Sequence, residues 1–221
     1  MIPALLLLAT TTVAAPAAAP PPLNLASRLS DAKATFAVRV AGQPMGTESD
    51  TVHCAAAGCR VDSRLQYLVQ GRQVVQKAAL KIAANGDLER YQWREGDARI
   101  DVSYRQQRLI ARYNAPKIAA REFDFELPAG TTILDDRVYI DWEVLAAHYR
   151  RRLGGTQSFR VFVPHSGDPG WVKLTAQPAA PGGLVHLHAV TSAGTAVELY
   201  LQGNRLVHLE IPTAALVVTR Q

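Results

Sequence analysis

The feature that most constrains this chain is an alternation of apolar and polar side chains, with a period of two, that runs from Thr35 towards the C-terminus. Such alternation is typical of half-buried β-strands. Turn residues interrupt it, and Asn85-Gly86 is a strong hairpin signal between two apolar stretches. With 221 residues, 48% of them hydrophobic, the chain can bury a core. We expect a mainly β, α+β fold: an antiparallel meander of about ten strands that forms an incompletely closed barrel.

The alternation gives way to helical spacing over residues 136–152. Val138, Trp142, Leu145 and Tyr149 recur on one side of such a helix. Aspartates at its start and arginines at its end suit the helix dipole. We therefore predict one amphipathic helix near 136–152, packed on the apolar face of the sheet. Its aromatic stripe fits either the wall of a ligand cavity or ordinary core packing.

The C-terminal segment predicts three neighbouring strands in one register. The cross-strand pairs are Val185 with Leu201, Leu187 with Leu199, Ala189 with Val197, Val197 with Ile211, Leu199 with Leu209, and Leu201 with Val207. A slip of one residue would mix polar and apolar side chains on each face, so this register is favoured. It places the apolar side chains of these strands on the face that packs against the helix. We expect a ligand cavity lined by Trp142, Leu145, Tyr149, Leu187, Leu199, Leu201 and Leu209.

The same register gathers polar side chains on the opposite face of these strands. By parity that face carries three histidines and two carboxylates, namely His186, His188, His208, Glu198 and Glu210. Imidazole and carboxylate groups in neighbouring positions are suitable ligands for a divalent metal, and they can also exchange protons. The alternative is an ordinary solvated sheet face.

Cys54 and Cys59 are the only cysteines, and they flank a four-residue connection that contains Gly58. Cross-strand partners beside such a short loop lie close enough for a disulfide. We expect a structural disulfide, with a redox pair or a metal site that includes His53 as alternatives.

The N-terminal residues have the composition of an export signal. An apolar stretch is followed by small residues, and Ala15-Pro16-Ala17 fits a cleavage site. We predict a signal peptide at 1–17, an Ala/Pro-rich linker at 18–34 and one domain at 35–221, in a periplasmic or secreted protein. The alternative for the leader is a disordered Ala/Pro tract. No apolar run approaches the roughly 18 residues of a membrane-spanning helix, so no transmembrane segment is expected.

The distribution of charge and the lack of catalytic motifs in the sequence restrict the classes of function that we expect. The formal net charge is +5, but the basic residues are spread along the predicted strands, so we expect no nucleic-acid partner. The sequence contains no nucleophile elbow, dinucleotide-binding glycine motif, phosphate-binding loop or zinc-protease motif. His165-Ser166-Gly167-Asp168 holds triad residue types, but the flanking prolines and glycines indicate a turn.

Several short segments resemble the bacterial lipoprotein-carrier-like half-barrels, in particular their uncharacterised periplasmic relatives. They include the helix start at residues 133–136, Leu145, the strand end at residues 161–164, the closing stretch at 199–207, Ile211-Pro212 and Arg220. The resemblance, which would cover about residues 35–220, implies a sheet that wraps a helix over an apolar cavity. In the lipoprotein carriers that cavity takes acyl chains.

Together these features predict a non-enzymatic binding protein that needs no cofactor. Its expected partner is an apolar ligand such as an acyl chain, or an envelope protein. Two alternatives remain: a metal-dependent enzyme or metal-binding protein that uses the histidine and glutamate cluster, and a structural envelope protein.

Overall fold

The computed structural model describes residues 25–135 and 137–221. The strands of the first half are β1 (Ala32–Val40), β2 (Gln43–Ala55), β3 (Gly58–Val69), β4 (Arg72–Ala83), β5 (Leu88–Glu95), β6 (Ala98–Arg105), β7 (Arg108–Ala115) and β8 (Ile118–Glu126). The second half contains β9 (Thr132–Ile133), α1 (Ile140–His148), β10 (Thr156–Val163), β11 (Asp168–Ala176), β12 (Val185–Thr191), β13 (Ala196–Gln202), β14 (Arg205–Ile211) and β15 (Leu216–Arg220). Short 3-10 helices lie at Leu25–Ser27, Pro181–Gly183 and Pro212–Ala214.

All fifteen strands belong to one sheet, in the order β8-β7-β6-β5-β4-β3-β2-β1-β15-β14-β13-β12-β11-β10-β9. Neighbours are antiparallel except for β9 and β10. The mainly β class is confirmed, but the predicted count of about ten strands is too low. Two strands depart from the expected apolar pattern. The buried positions of β2 alternate but hold Glu48 and Asp50, and every residue of β8 except Phe125 is exposed at the sheet edge.

The sheet is open, because the edge strands β8 and β9 do not pair with each other. Its two ends nevertheless approach. The rings of Phe125 on β8 and Phe162 on β10 have centroids 5.6 Å apart, and the hydroxyl of Tyr113 on β7 donates to the carbonyl oxygen of Pro164 at 2.8 Å. The sheet therefore curves round one apolar interior, in which α1 lies.

Helix α1 is shorter than predicted and buried differently. It spans nine residues, and every one of them is buried, including Asp141 and Glu143. The predicted amphipathic helix at 136–152 is therefore wrong in length and in having a solvent face. The helix ends because Tyr149 adopts an extended conformation, and the curved sheet encloses the side that would otherwise face water. Asp136, at the predicted start, lies outside the described residues.

The predicted register of the C-terminal strands is confirmed, with one correction. Val185 pairs with Leu201, Leu187 with Leu199, Ala189 with Val197, and Leu199 with Leu209. Leu201, however, pairs with Leu206 and not with Val207, because the register shifts after Tyr200. Leu206 and Leu209 are both fully buried although their spacing is odd, and a β-bulge lets both side chains reach the interior.

The two cysteines form the expected disulfide. Cys54 and Cys59 are directly cross-strand on β2 and β3, and their sulfur atoms are 2.13 Å apart. Described residues thus include no free cysteine. The bond closes the β2–β3 hairpin next to Leu29, in the N-terminal segment that packs on the core.

The N-terminal part of the described chain is packed on the domain. Leu25 and Leu29 are buried, and β1 begins at Ala32. The interval predicted as a linker, 18–34, therefore reaches into folded structure at its C-terminal end. The predicted signal peptide, 1–17, lies outside the described residues. Among those described, none of the helices has the length and apolar character needed to cross a membrane.

Candidate functional site

The predicted cavity residues gather round α1 in one apolar interior. Trp142, Leu145 and Tyr149 are buried with the leucines of β12, β13 and β14, and no side chain in this group is more than 5% exposed. The predicted set is thus brought together, and much of the space between helix and sheet is filled by its own side chains. Polar groups, which sequence reasoning did not identify, determine where the helix lies.

Glu48 on β2 holds the start of the helix. Its two carboxylate oxygens accept hydrogen bonds from the backbone N–H groups of Tyr139 and Ile140, each at 3.0 Å. The helix has no side-chain cap of its own, so Glu48 satisfies N–H groups that lack a partner within the helix. Burial raises the pKa of Glu48.

Two further carboxyl groups lie close to Glu48 in the interior. Asp50 shares the inner face of β2 with Glu48 and is 3% exposed. Burial, followed by the charge of Glu48, raises the pKa of Asp50 to about 10. Burial also raises the pKa of Asp141 well above its usual value. Asp50 is therefore protonated at neutral pH.

Asp135 lies just before the helix, and its pKa shifts in the opposite direction from those of the three carboxyl groups above. It accepts hydrogen bonds from the Tyr91 hydroxyl and from the backbone of Arg137, and it lies 2.8 Å from Nδ1 of His165. Burial alone would raise its pKa, but the hydrogen bond and charge of His165 lower it overall. The turn predicted at residues 165–168 forms at Pro164–Gly167. The contact between His165 and Asp135 could not be predicted from a local pattern, because thirty residues separate them.

Glu143 fixes the helix to the C-terminal strands. This fully buried carboxylate accepts from Arg205 Nη1 at 2.8 Å, from Arg220 Nη2 at 2.6 Å and from the backbone N–H of Leu206 at 2.8 Å. Charge-assisted hydrogen bonds of this kind are stronger than neutral ones. Arg205 and Arg220, two of the residues that carry the family resemblance, are therefore partners of a buried carboxylate.

An opening lies at the other end of the helix. Arg28 donates to the carbonyl oxygens of Ala147 and Tyr149, which cap the last turn. Beyond it lies a cavity of about 190 Å³, which we call the α1 opening. Its lining is formed by Tyr149, Arg151, Ala176, Gln177, Ala179, Gly183, Leu184, Val185, His186 and Leu187. Two predicted cavity residues, Tyr149 and Leu187, thus reach a surface depression with an arginine and a histidine at its side.

The predicted histidine and glutamate cluster lies on the outer face, as the register requires. Glu198 lies 2.7 Å from both His186 Nε2 and His188 Nδ1, and Glu210 lies 2.7 Å from His208 Nε2. Burial would raise the pKa of Glu198, but the two histidines lower it overall. Within residues 25–135 and 137–221, no group of three or more His, Cys, Asp or Glu side chains is placed to hold a metal ion. Metal binding by this cluster stays a prediction.

Known proteins provide no independent guide to the function. No family model, curated protein or solved structure matches the chain. We therefore infer the function from the geometry of the α1 opening and of the protein surface.

Proposed function

We propose that the protein is an exported, non-enzymatic binding protein that takes the end of an apolar chain, such as an acyl chain, at the α1 opening. The supporting observation is the opening itself, a depression next to the C-terminal end of α1 that the apolar side chains of Leu184, Val185 and Leu187 line. In this proposal the open sheet acts as a half-barrel and α1 as its plug. That arrangement is the one that the resemblance to the lipoprotein carriers implies, and the expectation of export comes from the composition of residues 1–17.

The size and charge of the opening restrict the kind of ligand that it can bind. Its volume of about 190 Å³ is below the roughly 300–1,000 Å³ of sites that enclose a drug-sized molecule. We therefore expect the chain terminus to enter and the remainder to lie outside. Arg151, which donates to the carbonyl oxygen of Gly203, provides a positive charge at the side of the opening and would favour a ligand with an anionic group.

A binding experiment with a blocked opening tests the proposal. Purified full-length protein is titrated with a fluorescent fatty acid, and oleate is added to displace it. Leu184→Trp fills the opening, and we expect it to weaken binding by about tenfold or more. Leu153→Trp is the matched control, because Leu153 is 63% exposed and does not line the opening.

Two outcomes would overturn the proposal. One is the absence of saturable fatty-acid binding to the unmodified protein. The other is an equal loss of binding in both tryptophan variants, which would show that the ligand lies elsewhere.

A further inference from the structure

The outer face of the first half of the sheet carries an uninterrupted row of cations. Arg64 on β3 is directly cross-strand from Lys77 on β4, Lys77 from Arg94 on β5, and Arg94 from Arg99 on β6. All four side chains are exposed. These residues are spread over positions 64 to 99 of the sequence, and the register of four neighbouring strands brings them into one line. We call this line the basic row.

The four members of the basic row form no ion pairs within the described part of the chain, and the one carboxylate that lines the groove beside the row, Asp62, pairs with Arg60. The contact of Arg64 is with the neutral amide of Gln66. Like charges in directly opposite positions destabilise a sheet. Strands are about 4.8 Å apart, so the row extends over about 14 Å. An unpaired charge row of this kind attracts an extended anion.

Other cations on the same strands behave differently. Lys81 and Arg90 are also directly cross-strand on β4 and β5 and also exposed. Lys81 forms an ion pair with Glu89, and Arg90 forms one with Asp101. The lack of ion pairs is therefore a property of the basic row and does not extend to every cation on this face.

A groove follows the basic row. It has a volume of about 490 Å³ and is lined by three members of the row together with Ser49, Thr51, Arg60, Asp62, Ser63, Ala78, Ala79 and Gln92. The hydroxyl and amide groups can donate to and accept from sugar hydroxyls, and the carboxylate of Asp62 can accept from them. No aromatic side chain lines it, although binding of single-stranded nucleic acid uses aromatic groups for base stacking. Nor do large apolar side chains line it, as insertion into a membrane surface requires.

We infer that the basic row binds a linear acidic glycan, a chain of sugars whose carboxylates repeat along its length. The row lies on the face opposite the interior that holds α1, so this site is separate from the α1 opening. The two proposals can therefore fail independently. The carboxylates of the glycan face successive strands, and its hydroxyl groups meet the polar side chains of the groove.

The test uses the full chain and oligogalacturonate in titration calorimetry, with neutral dextran as the comparison ligand. We expect saturable binding of oligogalacturonate only, and a loss of affinity of at least about tenfold when salt is raised from about 20 to about 200 mM. Lys77→Gln/Arg94→Gln should weaken binding by about tenfold or more. The control pair Lys81→Gln/Arg90→Gln should change it by less than about twofold.

A stability measurement guards against misfolding of the variant. Because Lys77→Gln/Arg94→Gln removes repulsion between exposed groups, its thermal midpoint should not fall below that of the unmodified protein. The inference is overturned if oligogalacturonate does not bind, or if both pairs of substitutions weaken binding equally. It is also overturned if anionic phosphatidylglycerol vesicles or single-stranded DNA bind through the row while oligogalacturonate does not.

Discussion

β14 meets carboxylates on both of its faces: Glu143 of α1 lies against the inner face, and Glu198 of β13 and Glu210 of β14 lie on the outer face. Inside, Glu143 is fully buried and bonded to two arginines and a backbone N–H. Outside, Glu198 and Glu210 pair with histidines while their side chains remain 24% and 41% exposed. Solvent screens the outer pairs, so they contribute little to stability. Glu143 in the inner set is out of contact with solvent, so the loss of either partner leaves a buried charge without its full compensation.

Carboxylates of the same chemical type thus have different roles in this protein, according to whether they are buried or exposed. The inner carboxylates determine the position of α1: Glu48 at its first turn, Asp135 just before it and Glu143 within it. The outer carboxylates follow from the register and are available to solvent. The predictions below test this division, beginning with the substitution that should have the largest effect.

Removing Glu143 should cost the most. Glu143→Ala leaves Arg205 and Arg220, whose side chains are 23% and 18% exposed, without their buried partner. Breaking a buried pair from one side costs about 3–5 kcal/mol. Urea denaturation measures the free energy of unfolding. A loss below about 1 kcal/mol would show that the inner set is no more important than a surface pair.

Removing Glu48 should have the next largest effect. Glu48→Ala leaves two buried N–H groups at the helix start without acceptors, at a cost of about 2–4 kcal/mol in total. Glu48→Gln, which keeps an acceptor oxygen, should recover part of the loss. Equal destabilisation by both substitutions, again measured by urea denaturation, would contradict the role of Glu48 as a cap.

Asp50 should make stability depend on pH. Its pKa in the folded protein is raised to about 10, above its value in the unfolded chain. Its contribution is therefore fully present below about pH 4 and is lost progressively as the pH rises towards 10, by at most about 1.4 kcal/mol for each pH unit. Asp50→Asn should flatten the fall in thermal midpoint between about pH 6 and 9. An unchanged pH profile would show that Asp50 is ionised in the folded state.

Glu198→Gln should have the smallest effect. It removes the charge that His186 and His188 share on the outer face, and we expect a loss of about 1 kcal/mol or less. High salt should reduce the difference further. A loss comparable with that of Glu143→Ala would remove the contrast between the two faces.

Sequence reasoning was most successful where period-two alternation was strong. The pairing of β12 with β13, the outer position of His186 and Glu198, and the Cys54–Cys59 bond were all predictable, because side-chain parity and short turns act locally. The alternation of Glu48, Asp50 and Val52 along β2 could have shown that these carboxylates face inwards. That signal was missed because buried carboxylates are rare.

The remaining features depend on contacts between distant parts of the chain. Glu143 meets Arg220 across 77 positions, and Glu48 meets Tyr139 across 91. No local pattern reports such pairs. The basic row is similar, since each of its members lies on a different strand and only the complete register aligns them.

Buried polar groups hold α1 inside the sheet, through Glu48 at its start and Glu143 within it. Hydrogen exchange followed by mass spectrometry measures this directly through the amides of residues 140–148. We predict that they exchange as slowly as those of the buried strands β12 and β13, and that Glu143→Ala accelerates the helix more than these strands. Fast exchange of the helix in the unmodified protein, with β12 and β13 still protected, would contradict the account.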